Sequence, residues 1–133
     1  MPEKTIPHTP DLCGKRILVV EDDFYLASDT GRILREAGAQ VIGPLPRSSL
    51  ALDALAGGGL DAAVVDINLG EGPLFDLADG LKSAGVPFVF LTGYERVMIP
   101  PRLADVAVIQ KPTDRAAILE GVASLLSATP PIK

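Results

Sequence analysis

The sequence predicts an α/β domain: a doubly wound, five-stranded parallel sheet of order 2-1-3-4-5 with helices on both faces. Three observations carry this. Short, uniformly apolar runs recur along the chain, as strands buried on both faces require. Between them lie segments with apolar residues at i, i+3, i+4 and i+7, the period of a helix resting on a sheet. Gly and Pro fall at the ends of those segments, where helices stop. Strictly alternating strands and helices call for parallel pairing with right-handed crossovers. In such sheets ligands bind beyond the carboxyl ends of the strands, at the switch in strand order.

The elements follow in order. Residues 1–14, with Pro2, Pro7, Pro10 and few large apolar groups, read as a flexible N-terminal tail. Arg16–Glu21 is a buried strand, and Phe24–Ala37 a helix with Leu26, Ala27, Ile33, Leu34 and Ala37 on one side and Gly38 as its stop. Gln40–Gly43 is a short second strand. Ser48 or Ser49 is placed to cap a helix running to Ala56, which Gly57-Gly58-Gly59 ends. Ala62–Asp66 is the third strand. Leu74, Leu77, Ala78 and Leu81 set a helix over 74–84, stopped by Gly85. Phe88–Thr92 and Val106–Ile109 are the last two strands. Between them, Tyr94–Ala104 contains Pro100-Pro101, and proline inside a helix costs about 3 kcal/mol or more. A short or irregular segment is expected there in place of a full fourth helix. The last helix opens near Thr113 or Asp114, with Ile118, Gly121, Val122 and Leu125 on one face. The domain proper spans 15–128, and 129–133 is a C-terminal tail.

Composition narrows the function. The formal net charge is −5, and no cluster of Lys and Arg offers the phosphate contacts that nucleic-acid binding needs. No run approaches the roughly 18 apolar residues of a membrane span, and the N-terminus lacks the apolar core of a signal peptide. A cytoplasmic protein is expected. The single cysteine, Cys13, excludes an internal disulfide framework, and the single histidine, His8, lies in the tail.

The carboxyl ends of the strands hold the chemistry. The first delivers Glu21, Asp22 and Asp23, the third Asp66 followed by Ile67-Asn68, the fourth Thr92-Gly93 and the fifth Lys111-Pro112. In the predicted strand order these ends converge on one cleft. Two carboxylates ~4 Å apart repel by roughly 4 kcal/mol at an effective dielectric near 20, so a proton or a cation belongs between them. Hard oxygen ligands with room for water and phosphate suit Mg²⁺, or Mn²⁺ in its place. A carboxylate beside such an ion can attack phosphorus and form an aspartyl-phosphate. Lys111 and Thr92 supply an ammonium and a hydroxyl for the transferred oxygens. Singly, each of these residues also reads as an ordinary strand-end or helix-start group. Jointly, in this order, they point to one site.

These residues resemble the receiver (response regulator) domain of bacterial two-component signalling, a flavodoxin- or CheY-like fold, over about residues 15–128. VVEDD at 19–23, VVDINL at 64–69, FLTGY at 90–94 and QKP at 110–112 carry the resemblance. It implies Asp66 as phosphoacceptor from a histidine kinase and Asp22 as a direct Mg²⁺ ligand. Glu21 then acts through water, and the Asn68 backbone carbonyl completes the protein ligands. Thr92 is the implied switch hydroxyl, and Lys111 its partner, placed by a cis Lys111–Pro112 bond of the kind X–Pro tolerates at about 0.5–1 kcal/mol. Asp23 either extends the acidic cluster or caps the first helix. Residues 87–94 (PFVFLTGY) are similar to the FAT-GUY subgroup of single-domain regulators of alphaproteobacteria, with Leu91 where that pattern has Ala; such regulators accompany histidine kinases of the HWE type.

The chain also departs from the common receiver pattern. Many receivers carry Tyr or Phe three residues before the lysine; here that residue is Val108, and Tyr94 becomes the candidate switch aromatic. Phosphorylation is then expected to act on the segment after Thr92, where Met98 and Ile99 are available for a partner surface or for the core. The receiver accounts for the chain, so output is expected through protein contacts or phosphate relay, by a monomer or weak dimer that is not a turnover enzyme. A haloacid-dehalogenase-like phosphohydrolase is the alternative, but it wants an acid where Asn68 stands and a nucleophile after the first strand. A flavodoxin-like carrier lacks its hydroxyl-rich phosphate loop here. A degenerate receiver acting as a binding module fits poorly with a full set of site residues.

Overall fold

Five apolar runs form β1 (Arg16–Val20), β2 (Gln40–Leu45), β3 (Ala62–Asp66), β4 (Phe88–Thr92) and β5 (Ala107–Gln110) in the computed structural model, which describes residues 11–67, 75–93, 99–111 and 114–127. They pair in parallel in the order β2-β1-β3-β4-β5. Between them run α1 (Phe24–Glu36), α2 (Ser48–Ala56) and α3 (Phe75–Ser83), and α4 (Arg115–Ser127) follows β5. The predicted fold class and strand order are those observed.

Two-sided burial explains the uniform hydrophobicity of the strands. Leu18, Val20, Ala63, Val65, Phe88 and Phe90 pack with Ala51 of α2 and Leu77, Ala78 and Leu81 of α3. Ile17, Val19, Ala62, Val64, Val89 and Leu91 pack on the other face with Leu34 of α1 and Ile118, Leu119 and Val122 of α4. Successive strand residues face opposite sides, so each run needs apolar groups at every position. The edge strands β2 and β5 are the exceptions: neither holds a fully buried residue, and β5 leaves Val108 exposed.

Some expectations change. The tail expected over 1–14 is fastened to the fold from Asp11: Leu12 is buried among Ala37, Ala39 and Ile17, and its N–H donates to Ala37 O at 2.9 Å. A lone leucine between prolines and charges carries no periodicity to reveal this. β2 runs on through Gly43 and a cis Pro44 to Leu45, two residues past the predicted end. Neither Ser48 nor Ser49 caps α2: both are already helical, and the cap position falls to Arg47, which makes no side-chain cap bond. At α4, by contrast, Asp114 Oδ1 accepts from Ala117 N–H at 2.9 Å.

Between β4 and β5 the described residues hold a single 3₁₀ turn, Pro101–Leu103, as the paired prolines foretold. Leu103 is fully buried, Ile99 and Val106 pack against the same cluster, and Met98 and Tyr94 lie outside the described residues. Two residues of α3, Asp79 and Lys82, hold the turn and the residues after it by polar contacts. Arg102 grips both carboxylate oxygens of Asp79 at 2.8 Å, and Lys82 Nζ reaches Arg102 O at 2.7 Å and Asp105 Oδ1 at 3.0 Å. The guanidinium beside Asp79 holds that carboxyl below its usual range. All four side chains are solvent-exposed, and such pairs contribute little. Arg102→Ala is therefore expected to leave the urea midpoint close to that of the wild type, with Leu103 keeping the turn in place.

Candidate functional site

Register brings the site together. Val20 lies opposite Val65, so the residues that follow, Glu21 and Asp66, stand level at adjacent strand ends, where strands are about 4.8 Å apart. Asp66 is in turn level with Leu91, which sets Thr92 one residue further out; Thr92 pairs with Gln110, and Lys111 comes next. The Lys111 N–H donates to Thr92 O at 2.6 Å, fixing where the lysine leaves the sheet. Glu21 N–H donates to Leu45 O at 2.9 Å, so the extension of β2 anchors the start of the acidic stretch.

Glu21 and Asp66 are buried, 2% and 3% exposed, whereas Asp22 is exposed. One carboxylate oxygen from each of the three lies within 4.8 Å of the others. Lys111 Nζ donates to Asp66 Oδ2 at 3.0 Å and stands 3.1 Å from Glu21 Oε1. The second approach has the length of an ion pair without the alignment of a hydrogen bond, which leaves Glu21 Oε1 buried with no hydrogen-bond partner among the described residues. Burial first, then the close approach and negative charge of the Asp66 carboxylate, push the Glu21 carboxyl up to about 7, against the opposing pull of Asp23 N–H and Lys111. Burial works against the Lys111 ammonium, but Asp66 and Glu21 outweigh it and its pKa stands above the ordinary value. The charge that the sequence requires between the carboxylates is thus partly supplied by Lys111.

The donor set fits a hard divalent cation. It offers three carboxylates, two of them buried, and one oxygen that no donor among the described residues satisfies. Asp23 is resolved: its Oδ1 accepts from Tyr25 N–H at 3.0 Å and Leu26 N–H at 3.1 Å, so its carboxylate caps α1. The Thr92 side chain is half-buried at the rim. Asn68, Tyr94 and Pro112 lie outside the described residues. Sequence reasoning missed the backbone groups of Leu45 and Asp23 that hold Glu21; being main chain, they leave no residue-type signal.

No protein-family model matches the chain, and no curated protein does. Among solved structures, SdrG from Sphingomonas melonis Fr1 is 32% identical with a TM-score of 0.75, the match covering 85% of this chain and 97% of SdrG. A BeF3-activated conformation of SdrG, given as from Pseudomonas melonis Fr1, matches at 31% identity and a TM-score of 0.72 over 86% and 98% of the two chains. The non-phosphorylated HemR receiver domain from Leptospira biflexa is 28% identical, with a TM-score of 0.76 over 90% of this chain and 99% of that one. A response regulator receiver protein from Sinorhizobium medicae WSM419, at 23% identity and a TM-score of 0.73 over 86% and 96%, shares the fold. With buried carboxylates at the ends of β1 and β3, a lysine between them, and these relatives along most of its length, the chain belongs to the response regulator receiver domains.

Proposed function

We propose that the protein is a cytoplasmic signalling receiver, occupying residues 15–128, that takes a phosphoryl group onto Asp66 from a histidine kinase in a Mg²⁺-dependent reaction. The observation that carries this reading is the Lys111 ammonium at 3.0 Å from Asp66 Oδ2, beside a buried Glu21 oxygen that lacks a hydrogen-bond partner among the described residues. In this reading an Asp66 oxygen attacks phosphorus, the phosphorus–nitrogen bond of the phosphohistidine breaks, and the imidazole leaves with the electron pair. Asp22 and Asp66, with Glu21 acting through water, would hold Mg²⁺, which would supply positive charge for the phosphoryl oxygens. Lys111 exchanges its carboxylate contact for a phosphoryl oxygen, and the Thr92 hydroxyl turns in to donate to another. The BeF3-activated form of SdrG supports such a response in a relative.

The stretch PFVFLTGY at 87–94 supports the finer assignment to the FAT-GUY subgroup, with a kinase of the HWE type as donor. Output passes by protein contact or phosphate relay, from a monomer or weak dimer. Stoichiometric labelling tests the proposal: with acetyl phosphate and Mg²⁺ the wild type gains one base-labile, hydroxylamine-sensitive phosphoryl group per chain, and Asp66→Asn gains none. Equal labelling of the two proteins overturns the proposal. Repeated turnover of a small phosphomonoester instead assigns the site to a hydrolase.

A further inference from the structure

Asp23 stands beside the acidic cluster without joining it, and two sets of contacts define what it does. Its side chain closes the first turn of α1, accepting from Tyr25 and Leu26 N–H. Its backbone N–H donates to Glu21 Oε2 at 3.1 Å. The two are mechanically linked. The cap holds Asp23 in an extended conformation, φ −77° and ψ 118°, and that conformation aims its N–H back at the residue two before it. With Oε2 held there, Oε1 stays in the buried interior beside Lys111 and Asp66.

We infer that Asp23 is a positioning residue: by capping α1 it fixes the backbone N–H that orients the Glu21 carboxylate toward the cation site. It contributes geometry, and its own negative charge is incidental. The inference rests on the reading of Glu21, Asp22 and Asp66 as that site. Groups that orient ligating carboxylates typically cost 10–100-fold in metal affinity when removed. Asn caps helices about as well as Asp, whereas Ala does not.

The experiment titrates Mg²⁺ into the full chain, following the heat of binding and the shift of the thermal midpoint, with Asp66 labelling by acetyl phosphate at saturating Mg²⁺ as a separate readout. Asp23→Ala is expected to weaken Mg²⁺ binding by about 10-fold or more. Asp23→Asn is expected to stay within about threefold of wild type, and both to label at close to the wild-type rate once saturated. If Asp23→Ala fails to fold, Asp23→Gly replaces it, since Gly is tolerated at a cap yet lacks both side-chain bonds. Asn as weak as Ala means that Asp23 acts through its charge, and overturns the inference. Ala that lowers the thermal midpoint while binding Mg²⁺ normally also overturns it, leaving a cap alone. A wild type that shows no Mg²⁺ response sinks the site reading itself, and this inference with it. Wild-type Mg²⁺ binding with Asp66→Asn labelling retained refutes only the phosphoacceptor assignment.

Discussion

In EDTA, the wild type is expected to be more stable at pH 5 than at pH 8, by as much as about 3 kcal/mol. The source is Glu21, whose carboxyl is raised from 4.5 to about 7 in the folded protein, burial being the largest cause. Between those two values the folded chain keeps a proton that the unfolded chain has lost, so stability falls as pH rises through that window and levels off above about 7. A shift of that size corresponds to about 3 kcal/mol at about 1.4 kcal/mol per unit, as a ceiling. The other shifted groups act elsewhere. Lys111, raised above 10.5, contributes stability that is fully present below that value and lost only at higher pH. Asp79 and Asp105, lowered from 3.8, contribute stability present above that value and lost as pH falls beneath it.

Two variants assign the slope. Glu21→Gln is expected to flatten it and to stabilise the metal-free protein at pH 8. Lys111→Met leaves the two buried carboxylates without their ammonium and is expected to steepen it. Urea unfolding at pH 5, 6.5 and 8 decides: a flat wild-type profile, or a slope untouched in Glu21→Gln, sinks the account. The predicted instability also has a functional meaning. On the proposed function, a site built to accept a cation and a phosphoryl group keeps like charges buried together, and stability is what it gives up for them.

How much of this was legible in the sequence follows from which physical effects leave a residue-type trace. Burial on both faces leaves one, so all five strands and their order could be read from apolar runs such as Val64-Val65 and Phe88–Leu91. Strand ends then located Glu21, Asp66, Thr92 and Lys111, because register carries them to one edge without any further choice. Effects carried by the main chain left no trace. The ambiguity of Asp23 lasted because a capping carboxylate and a ligating one have the same composition; only its bonds to Tyr25 and Leu26 N–H separate them. Leu12 illustrates the opposite failure, an apolar residue isolated from any period yet buried by a loop that folds back on Ala37. At α2 the sequence offered two serines suited to a cap, and the backbone turned helical one residue too early to use either as one.

Gly43→Ala is expected to destabilise the fold by about 2–4 kcal/mol, through backbone strain and a main-chain clash together. Gly43 holds φ at +106°, a conformation that residues with a Cβ rarely adopt. Space makes matters worse: a Cβ there would lie 2.7 Å from Leu45 N and 2.8 Å from Val19 O, both main-chain atoms that cannot rotate aside. Relief requires β2 to move away from β1, at the point where their register already shifts between Leu18 and Val20. Leu45 O is also the acceptor for Glu21 N–H, so the displacement passes directly to the acidic cluster. Gly85 provides the control. It too has positive φ, +74°, but a Cβ there meets nothing within 4 Å, so Gly85→Ala should cost only the conformational penalty of about 1–2 kcal/mol. Urea midpoints of the two variants isolate the steric cost, and labelling of Asp66 should fall in Gly43→Ala while staying intact in Gly85→Ala. Equal losses of stability in both would show that the close approach of β2 to β1 at Gly43 is not what holds Glu21 in place.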